Sequence, residues 1–336
     1  MRTLIIAEAG VNHNGCIDRA VRMVSVAHNA GADVIKFQTF RAEDLVTDYA
    51  AKAAYQTETD GESSQYDMLR RLELSDDDFR LLRDECERIG IGFMSTPFSL
   101  SAARFLHKLG MKTWKIASGE VTNLPLLEYV ASVAESVIMS TGMCTTSDIE
   151  CALRAMNSAG LSHDHITLLH CTTAYPAPFD TVNLRAMNTL RQFGCASVGY
   201  SDHTEGTLVA AAAVAAGATV IEKHFTLDKS LPGPDHRASL NPDELARMVE
   251  DIRVVETAMG CDTKMPGNTE ILNAAVARKS VVAACDITRG DIFSERNITT
   301  KRPAGGISPM RWHDIIGRSA TQNYYKDQQI NPNELL

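Results

Sequence analysis

Residues 220–226 read VIEKHFT, and the change from apolar to charged residues within this stretch indicates where a strand ends. An apolar strand core, preceded by the alanine-rich segment AAAVAAGAT at 211–219, ends abruptly on Glu222, Lys223 and His224. Charged side chains are seldom buried without a partner, so a buried strand that ends on them must reach a polar environment. In parallel α/β folds, the carboxyl ends of the strands carry the ligand-binding side chains. The stretch therefore predicts a strand that points at a binding pocket.

Short apolar runs of this kind alternate with helix-type segments along the preceding chain. The predicted strands are TLIIAE (3–8), DVIKFQ (33–38), GFMSTP (92–97), KTWKIASGE (112–120), SVIMSTG (136–142), HITLLHC (165–171), ASVGYSDH (196–203) and ATVIEKHF (218–225). The predicted helices span 17–30, 76–89, 99–109, 123–134, 146–159, 181–193, 206–216 and 242–259. Eight strands, each followed by a helix, predict an α/β fold of the (β/α)₈ barrel type. A doubly wound sheet is the alternative, but AEAGVNHNG after the first strand lacks its GxGxxG phosphate fingerprint.

The pattern divides the chain into a barrel and an appendage. The barrel is assigned to residues 1–260, a polar linker to 261–280 and a small β-rich domain to 281–336. The last segment has short strand-like pieces and Gly-containing turns such as DITRGD and PAGG. The long insert at 41–75 after the second strand predicts an active-site loop on the carboxyl rim of the barrel.

Composition narrows the possible partners and the compartment. The 336 residues have a net charge of −9 and no basic run, which argues against nucleic-acid binding. The N-terminus resembles neither a signal peptide nor a membrane span. The eight cysteines show no CxxC pairing, which is typical of reduced thiols in a cytoplasmic protein.

Every predicted strand ends on polar residues. The set is Glu8, Lys36, Gln38, Thr96, Lys115, Ser118, Glu120, Ser140, Thr141, His170, Thr172, Thr173, Ser201, His203, Lys223 and His224. Each residue alone has an ordinary structural explanation, such as a helix cap or a snorkelling lysine. Together, at one end of a barrel, they predict a shared pocket. Lys223 is expected to point away from it, because successive strand residues face opposite sides.

The set has a defined chemical character. Cations and hydroxyl donors that suit a small phosphorylated carboxylate come from Lys36, Thr96, Lys115, Ser118, Ser140 and Ser201. Two imidazoles, His203 and His224, end adjacent strands and are predicted to hold a divalent cation. Asp235 and His236 follow on a turn-rich loop within reach of the same pocket. The alternatives are a Schiff-base aldolase that uses Lys36 or Lys115, and a non-enzymatic sugar-binding protein.

The chain resembles the bacterial sialic-acid synthases, which make N-acetylneuraminate, legionaminate and pseudaminate from phosphoenolpyruvate. The motifs that carry the resemblance span nearly the whole chain, in order: AEAGVNHNG, VIKFQTF, FMSTPFS, WKIASGE, MSTGM, LLHCTTAYPAPF, GYSDHT, IEKHFTLD, PGPDHRASL and KRPAGGISPM. The resemblance implies a catalytic barrel followed by a C-terminal domain similar to type III antifreeze proteins, the SAF domain. It also implies a homodimer in which that domain is swapped over the partner's active site.

The implied reaction condenses phosphoenolpyruvate with the open-chain aldehyde of an N-acylated mannosamine and releases phosphate. By motif, His203 and His224 match the metal ligands, usually for manganese, with magnesium or cobalt as alternatives. Glu8 matches the acidic residue at the reacting centre. The phosphoenolpyruvate positions match Lys36, Thr96, Lys115, Ser118, Ser140 and Ser201, and the acceptor-sugar positions match Gln38, Tyr175, Asp235 and, from the partner chain, Arg302.

Two features concern the acceptor. Some family members have Asn in the HCT stretch where this chain has Thr172 and Thr173, which removes any contact made by that amide. The motifs TLIIAEAGVNHNG and HCTTAYPAPF resemble those of members that use 2,4-diacetamido-2,4,6-trideoxymannose to make N,N'-diacetyllegionaminate. N-acetylmannosamine is the alternative acceptor, and a 6-phosphate acceptor fits the motifs less well.

Overall fold

A computed structural model describes residues 2–47, 49–52 and 64–336 of the chain. The chain forms two compact units, Met1–Gly260 and Cys261–Leu336. Among the described residues, no helix combines the length and the apolar character that crossing a membrane requires.

The first unit is built on eight parallel strands. They are β1 (Leu4–Gly10), β2 (Val34–Thr39), β3 (Gly92–Pro97), β4 (Thr113–Ile116), β5 (Ser136–Ser140), β6 (Ile166–Cys171), β7 (Ser197–Asp202) and β8 (Val220–His224). Hydrogen bonds join them in the order β3-β2-β1-β8-β7-β6-β5-β4, which is a nearly closed barrel. The predicted (β/α)₈ fold is confirmed, and β8 ends at His224 as VIEKHFT indicates.

Helices pack around the strands. They are α1 (Ile17–Asn29), α2 (Ala42–Leu45), α3 (Gln65–Leu72), α4 (Asp76–Ile89), α5 (Leu100–Lys108), α6 (Leu124–Val133), α7 (Thr146–Ser158), α8 (Met187–Arg191), α9 (Leu208–Ala215) and α10 (Pro242–Met259). Side-chain caps define several starts, because a cap satisfies backbone N–H groups that have no partner within the helix. Ser75 and Asp78 form such a capping box on α4, and Asn241 and Glu244 form one on α10.

Three sequence predictions need correction. The helix predicted at 181–193 is regular only from Met187, because the left-handed backbone of Asn183 (φ 49°) separates it from the preceding turns. The strand predicted at 112–120 ends at Ile116, and residues 118–120 form a 3₁₀ turn. The insert at 41–75 contains helices α2 and α3 rather than loop alone, and its residues 48 and 53–63 lie outside the described part.

The second unit combines a helix with a small antiparallel sheet. Helix α11 (Asn268–Ala277) occupies the segment predicted to be a linker, and the N–H of Ala304 donates to the carbonyl of Ala275 near its end. Strands β9 (Ser280–Ala283) and β10 (Ile298–Lys301) pair antiparallel, and a short helix, α12 (Trp312–Ile315), follows. The core contains Val281, Ala283, Ile287, Phe293, Ile298, Ile307, Ile315, Ala320, Tyr324 and Ile330.

Candidate active site

The interior of the barrel changes from apolar to polar along the strand direction. A buried apolar layer is formed by Ile6, Met94, Ile138, Leu169 and Val220. Two residues further along the same strands lie Glu8, Thr96, Ser140, Cys171 and Glu222. Since strand side chains alternate between faces, this second layer also points inward, above the apolar floor. The carboxyl ends of the strands therefore surround a polar cavity.

The cavity has a volume of about 260 Å³. The sequence-predicted residues that line it are Glu8, Lys36, Gln38, Thr96, Lys115, Ser118, Ser140, Thr173, Tyr175, Ser201, His203, His224 and Asp235. Four others that were predicted at the same rim do not line it: Glu120, Thr141, His170 and Thr172. Arg302 follows β10 in the second unit, so it is not one of the barrel residues gathered here.

Two buried lysines form the charged centre of the cavity. Lys36 Nζ lies 2.7 Å from Glu8 Oε2 and donates to Thr96 Oγ1 at 3.1 Å. Lys115 Nζ donates to Ser140 Oγ at 2.7 Å and to its own strand at the carbonyl of Ile116. Lys36 is thus held by the two strands that flank β2, and Lys115 by β5 and its own strand.

Glu222 lies between the two lysines. Its carboxylate oxygens are 3.7 Å from Lys36 Nζ and 3.9 Å from Lys115 Nζ. The residue is buried and accepts a hydrogen bond from Ser201 Oγ at 3.2 Å. Sequence reasoning missed Glu222 as a site residue. The available signal was its spacing of two from His224, which places both side chains on the same face of β8.

The pKa values of the buried carboxyl and ammonium groups are shifted in different directions. Burial raises the pKa of Glu8 to about 7, although Lys36 opposes the shift. Burial alone would also raise the pKa of Glu222, but Lys115 and Lys36 hold it below its ordinary value. Burial lowers the pKa of Lys115, whereas for Lys36 the attraction of Glu222 and Glu8 outweighs burial and raises the pKa. The cavity thus keeps Glu222 ionised while Glu8 can hold or release a proton near neutral pH.

The two predicted histidines lie side by side, with ring centroids 5.6 Å apart. The Nδ1 atom of His203 contacts the carbonyl oxygen of Thr172 at 2.7 Å, so Nδ1 carries the proton and Nε2 carries the lone pair. Burial lowers the pKa of both rings and keeps them neutral. The buried Nδ1 of His224 makes no hydrogen bond within the described part of the chain, and Asp235 Oδ2 lies 4.0 Å from it.

These features fit a divalent cation held by two neutral imidazoles. A neutral histidine needs an unoccupied lone pair to bind a metal ion, and both rings can present one. Among the described residues, no cluster of three or more His, Cys, Asp or Glu side chains is arranged to hold a metal ion. A cation at His203 and His224 would therefore take its remaining ligands from substrate oxygens or water.

The predicted acceptor positions surround the rim. Gln38 Nε2 donates to Glu8 Oε1 at 3.0 Å, and the Tyr175 ring packs on His203 with centroids 4.2 Å apart. At the HCTT stretch, the Thr172 hydroxyl donates to the carbonyl of Thr181, whereas Thr173 lines the cavity. Thr173, and not Thr172, is therefore the position where the missing Asn side chain would change the cavity.

One wall of the cavity is apolar and was not predicted. Its members are Val11, Met68, Leu69, Leu72 and Phe98. They belong to a hydrophobic cluster in which α3 covers the mouth of the barrel beside β1 and β3. The sequence does not predict this wall, because α3 lies inside the insert at 41–75, for which a loop is predicted.

Lys223 lies on the opposite face of β8, as strand alternation predicts. Its Nζ is 2.8 Å from Asp202 Oδ2 and also contacts the carbonyl of Thr204. Both charged side chains are fully buried outside the cavity. Lys223 thus forms a structural ion pair with Asp202, whereas its neighbours Glu222 and His224 face the pocket.

Fold and cavity together define a (β/α)₈-barrel protein whose carboxyl-face cavity contains two buried lysines beside two neutral histidines. The chain belongs to the NeuB family, whose model matches residues 23–264, and a SAF domain matches residues 278–336.

Named relatives agree with this assignment. The chain is 48% identical to an N,N'-diacetyllegionaminic acid synthase of Campylobacter jejuni, over 98% of this chain and 99% of the relative. It is 45% identical to an N,N'-diacetyllegionaminic acid synthase of Legionella pneumophila, over 96% and 92%. The crystal structure of an N-acetylneuraminic acid synthetase from Leptospira borgpetersenii superposes with a TM-score of 0.71 at 33% identity, over 81% of this chain and 90% of that one. These relatives are enzymes.

Proposed function

We propose that this protein is a nonulosonic acid synthase that condenses phosphoenolpyruvate with an N-acylated mannosamine-type aldehyde and releases phosphate. The observation that carries the proposal is the single cavity in which two buried lysines adjoin two neutral histidines. The lysines match a phosphorylated carboxylate, and the histidines match the metal that such a condensation uses.

The anion site would bind phosphoenolpyruvate. Its phosphate and carboxylate need cations and hydroxyl donors, which come from Lys36, Lys115, Thr96, Ser118, Ser140 and Ser201. Ser118 Oγ is itself oriented by the N–H of Gly142, at 2.9 Å. Groups positioned in this way hold C3 of phosphoenolpyruvate over the aldehyde carbon and so convert an encounter into an oriented reaction.

The chemistry conserves atoms and electrons. The C2–C3 π electrons of phosphoenolpyruvate form the new bond to the aldehyde carbon, whose oxygen gains a proton. Water adds to the oxocarbenium-like C2 and loses one proton. The C2 hydroxyl then gives its remaining proton to the departing phosphate as the bond between C2 and the phosphate oxygen breaks, which leaves the C2 ketone of the keto acid and hydrogen phosphate. Glu8, with a pKa of about 7, is suited to hold or accept a proton in these steps.

His203 and His224 would hold the divalent cation, manganese first, with magnesium and cobalt as alternatives. When bound, such a cation supplies Lewis acidity that polarises the aldehyde oxygen. The protein's own contribution is the orientation of the imidazoles, which for His203 is set by the Thr172 carbonyl.

For the acceptor we favour 2,4-diacetamido-2,4,6-trideoxymannose, with N-acetylmannosamine as the alternative. The two relatives at 48% and 45% identity are both named N,N'-diacetyllegionaminic acid synthases. The apolar wall adds a physical reason, because a 6-deoxy sugar with two acetamido groups carries methyl groups that such a wall desolvates favourably. A hydroxymethyl or phosphate group would lose hydrogen bonds to water there.

We further propose a domain-swapped homodimer in which the C-terminal unit of one copy brings Arg302 to the barrel of the other. Exposed apolar side chains on the second unit, including Leu272 and Met310, support a covering partner. The cytoplasmic location stays a prediction.

The deciding experiment incubates the protein with phosphoenolpyruvate, Mn²⁺ and each candidate sugar while phosphate release is followed. We expect phosphate release that depends on the sugar and on the metal, fastest with the 2,4-diacetamido sugar. Borohydride treatment in the presence of substrate tests the Schiff-base alternative, since it would trap Lys36 or Lys115 covalently. Covalent trapping without metal dependence would replace the synthase proposal by that of an aldolase.

A further inference from the structure

Two sequence motifs contain polar residues that the proposed reaction does not use. In AEAGVNHNG these are the buried Asn12 and the half-buried Asn14, in the loop after β1, and in PGPDHRASL they are the buried His236 and Ser239, in the loop after β8. Asn12, His236 and Ser239 are each only 1% exposed. A polar side chain is seldom buried to that extent without a defined set of hydrogen bonds.

The first link between the loops runs through Asn12. Its Nδ2 group donates to the carbonyl of Phe225 and to Ser239 Oγ, both at 2.8 Å. Ser239 Oγ in turn donates to the backbone carbonyl of Asp235 at 2.7 Å. The amide of Asn12 is therefore linked, through the Ser239 hydroxyl group, to the backbone of Asp235, the residue proposed to bind the acceptor sugar.

The second link runs through His236. Asn14 Nδ2 donates to the carbonyl of Pro232 at 2.7 Å, so its Oδ1 accepts from His236 Nε2 at 3.1 Å. The other ring nitrogen, Nδ1, is 2.7 Å from Thr226 Oγ1. Thus Asn14 ties Pro232, before Asp235, to the loop after β1. His236, directly after Asp235, is tied to the same loop and to Thr226, which follows β8.

Gly233 shows how closely the two loops approach. A Cβ atom at this position would lie 2.8 Å from His236 Cδ2 and 2.9 Å from Asn14 Oδ1. Its φ of 145° also lies in a region that L side chains rarely adopt. The loop can make the second link only because residue 233 has no side chain.

We propose that these four side chains, Asn12, Asn14, His236 and Ser239, form a loop latch that positions Asp235 beside His224 for acceptor binding. Both links converge on residues 232–239, whose Asp235 carboxylate lies 4.0 Å from His224 Nδ1. The inference rests on the proposed function, because it takes Asp235 as an acceptor contact. The latch residues are positioning residues, since they act through Asp235.

The latch should affect the two substrates differently. Lys36, Lys115 and Ser140 lie on β2, β4 and β5, apart from the two latched loops. Loosening the loops should therefore weaken acceptor binding and leave phosphoenolpyruvate binding intact. A general loss of folding would instead impair both.

Ser239→Ala tests the first link, and His236→Leu tests the second. Each should raise the acceptor KM about tenfold, the loss that follows from one broken buried hydrogen bond, and should change the phosphoenolpyruvate KM less than about twofold. His236→Gln keeps a donor towards Asn14 and should recover most of the loss. The matched control is Ser95→Ala, because Ser95 is 0% exposed and bonds Thr39 Oγ1 at 2.7 Å but does not line the cavity.

Hydrogen exchange of residues 227–239 in the full-length protein gives a readout that needs no turnover. We expect faster exchange there in Ser239→Ala and His236→Leu, and unchanged exchange in Ser95→Ala. Unchanged exchange, or equal changes in both KM values, would overturn the latch. A wild-type protein that releases no phosphate with any sugar would contradict the proposed function instead, and the exchange measurement would still decide on the latch.

Discussion

Lys36 Nζ lies 2.7 Å from Glu8 Oε2, and both side chains are almost completely buried at the level where the barrel opens. Their Cα atoms are register partners in the ladder between β1 and β2. The pair is not isolated, because Glu222 approaches Lys36 from β8 on the other side of β1. Burial raises the pKa of Glu8 to about 7 although Lys36 opposes the shift, whereas Glu222 is also close to Lys115, and the two lysines together hold its pKa below the ordinary value.

Glu8→Gln should lower kcat by about 10²-fold to 10⁴-fold, because it removes the group that we propose exchanges protons during the reaction. Phosphoenolpyruvate affinity should stay the same or increase, since one negative charge leaves an anion site. Phosphate-release kinetics and calorimetric titration measure the two effects separately. Glu120→Gln is the control, because Glu120 follows β4 but does not line the cavity. Near-normal kcat in Glu8→Gln would exclude Glu8 from proton transfer.

Lys115→Ala should lower kcat/KM for phosphoenolpyruvate by a factor that corresponds to a loss of about 2 to 4 kcal/mol in transition-state stabilisation. This is the cost of removing one cation from a buried anion site. The acceptor KM, measured at saturating phosphoenolpyruvate, should change much less. Steady-state kinetics in each substrate separate these effects. Unaltered kinetics in phosphoenolpyruvate would remove Lys115 from the site.

His203→Ala and His224→Ala should abolish tight Mn²⁺ binding and, with it, turnover. Each variant loses one of the two imidazole ligands. The described residues contain no cluster of three or more His, Cys, Asp or Glu side chains that could hold the metal ion instead. Metal content after dialysis, and paramagnetic resonance of bound Mn²⁺, give a readout independent of activity. His170→Asn is the control, because the His170 ring bonds the Val182 carbonyl. Chelator-treated His203→Ala protein with wild-type turnover would disprove the metal assignment.

Lys223→Met should destabilise the fold by about 3 to 5 kcal/mol, since it leaves Asp202 as an unpaired buried charge. Substrate KM values should stay within about twofold of wild type in whatever fraction remains folded, because Lys223 faces away from the cavity. Urea unfolding of Lys223→Met, Asp202→Asn and the double variant should show non-additive losses. A stable Lys223→Met protein with a raised KM for phosphoenolpyruvate would place this lysine in the site after all.

The proposed domain-swapped dimer predicts complementation between inactive chains. Arg302→Ala damages only the C-terminal unit, and His224→Ala damages only the barrel. Unfolding and refolding equal amounts together should restore about a quarter of wild-type activity, since half the dimers are mixed and each has one intact site. Each chain refolded alone is the control. Mixed dimers without recovered activity would show that each C-terminal unit serves its own barrel.

Much of the site followed from local rules. Lys36, Lys115, His203 and His224 were found because each lies near the end of an apolar run, and parallel strands bring such ends to one face. Glu222 was overlooked although strand alternation pairs it with His224. The apolar wall had no comparable signal, because the insert that contains Leu69 shows no pattern that assigns α3 to the mouth of the barrel.

The barrel and its inward set of polar residues can be predicted from the sequence, because strand periodicity fixes which side chains share a face. Which of these side chains become partners depends on the tertiary structure. Lys36 bonds Glu8 and approaches Glu222, whereas Lys223 finds Asp202 on the far side of the same strand. Asn12 and Ser239 meet although 227 residues separate them. Such pairings arise when barrel closure brings β1 beside β8, and buried charges and amides then take whichever partners lie within hydrogen-bond reach.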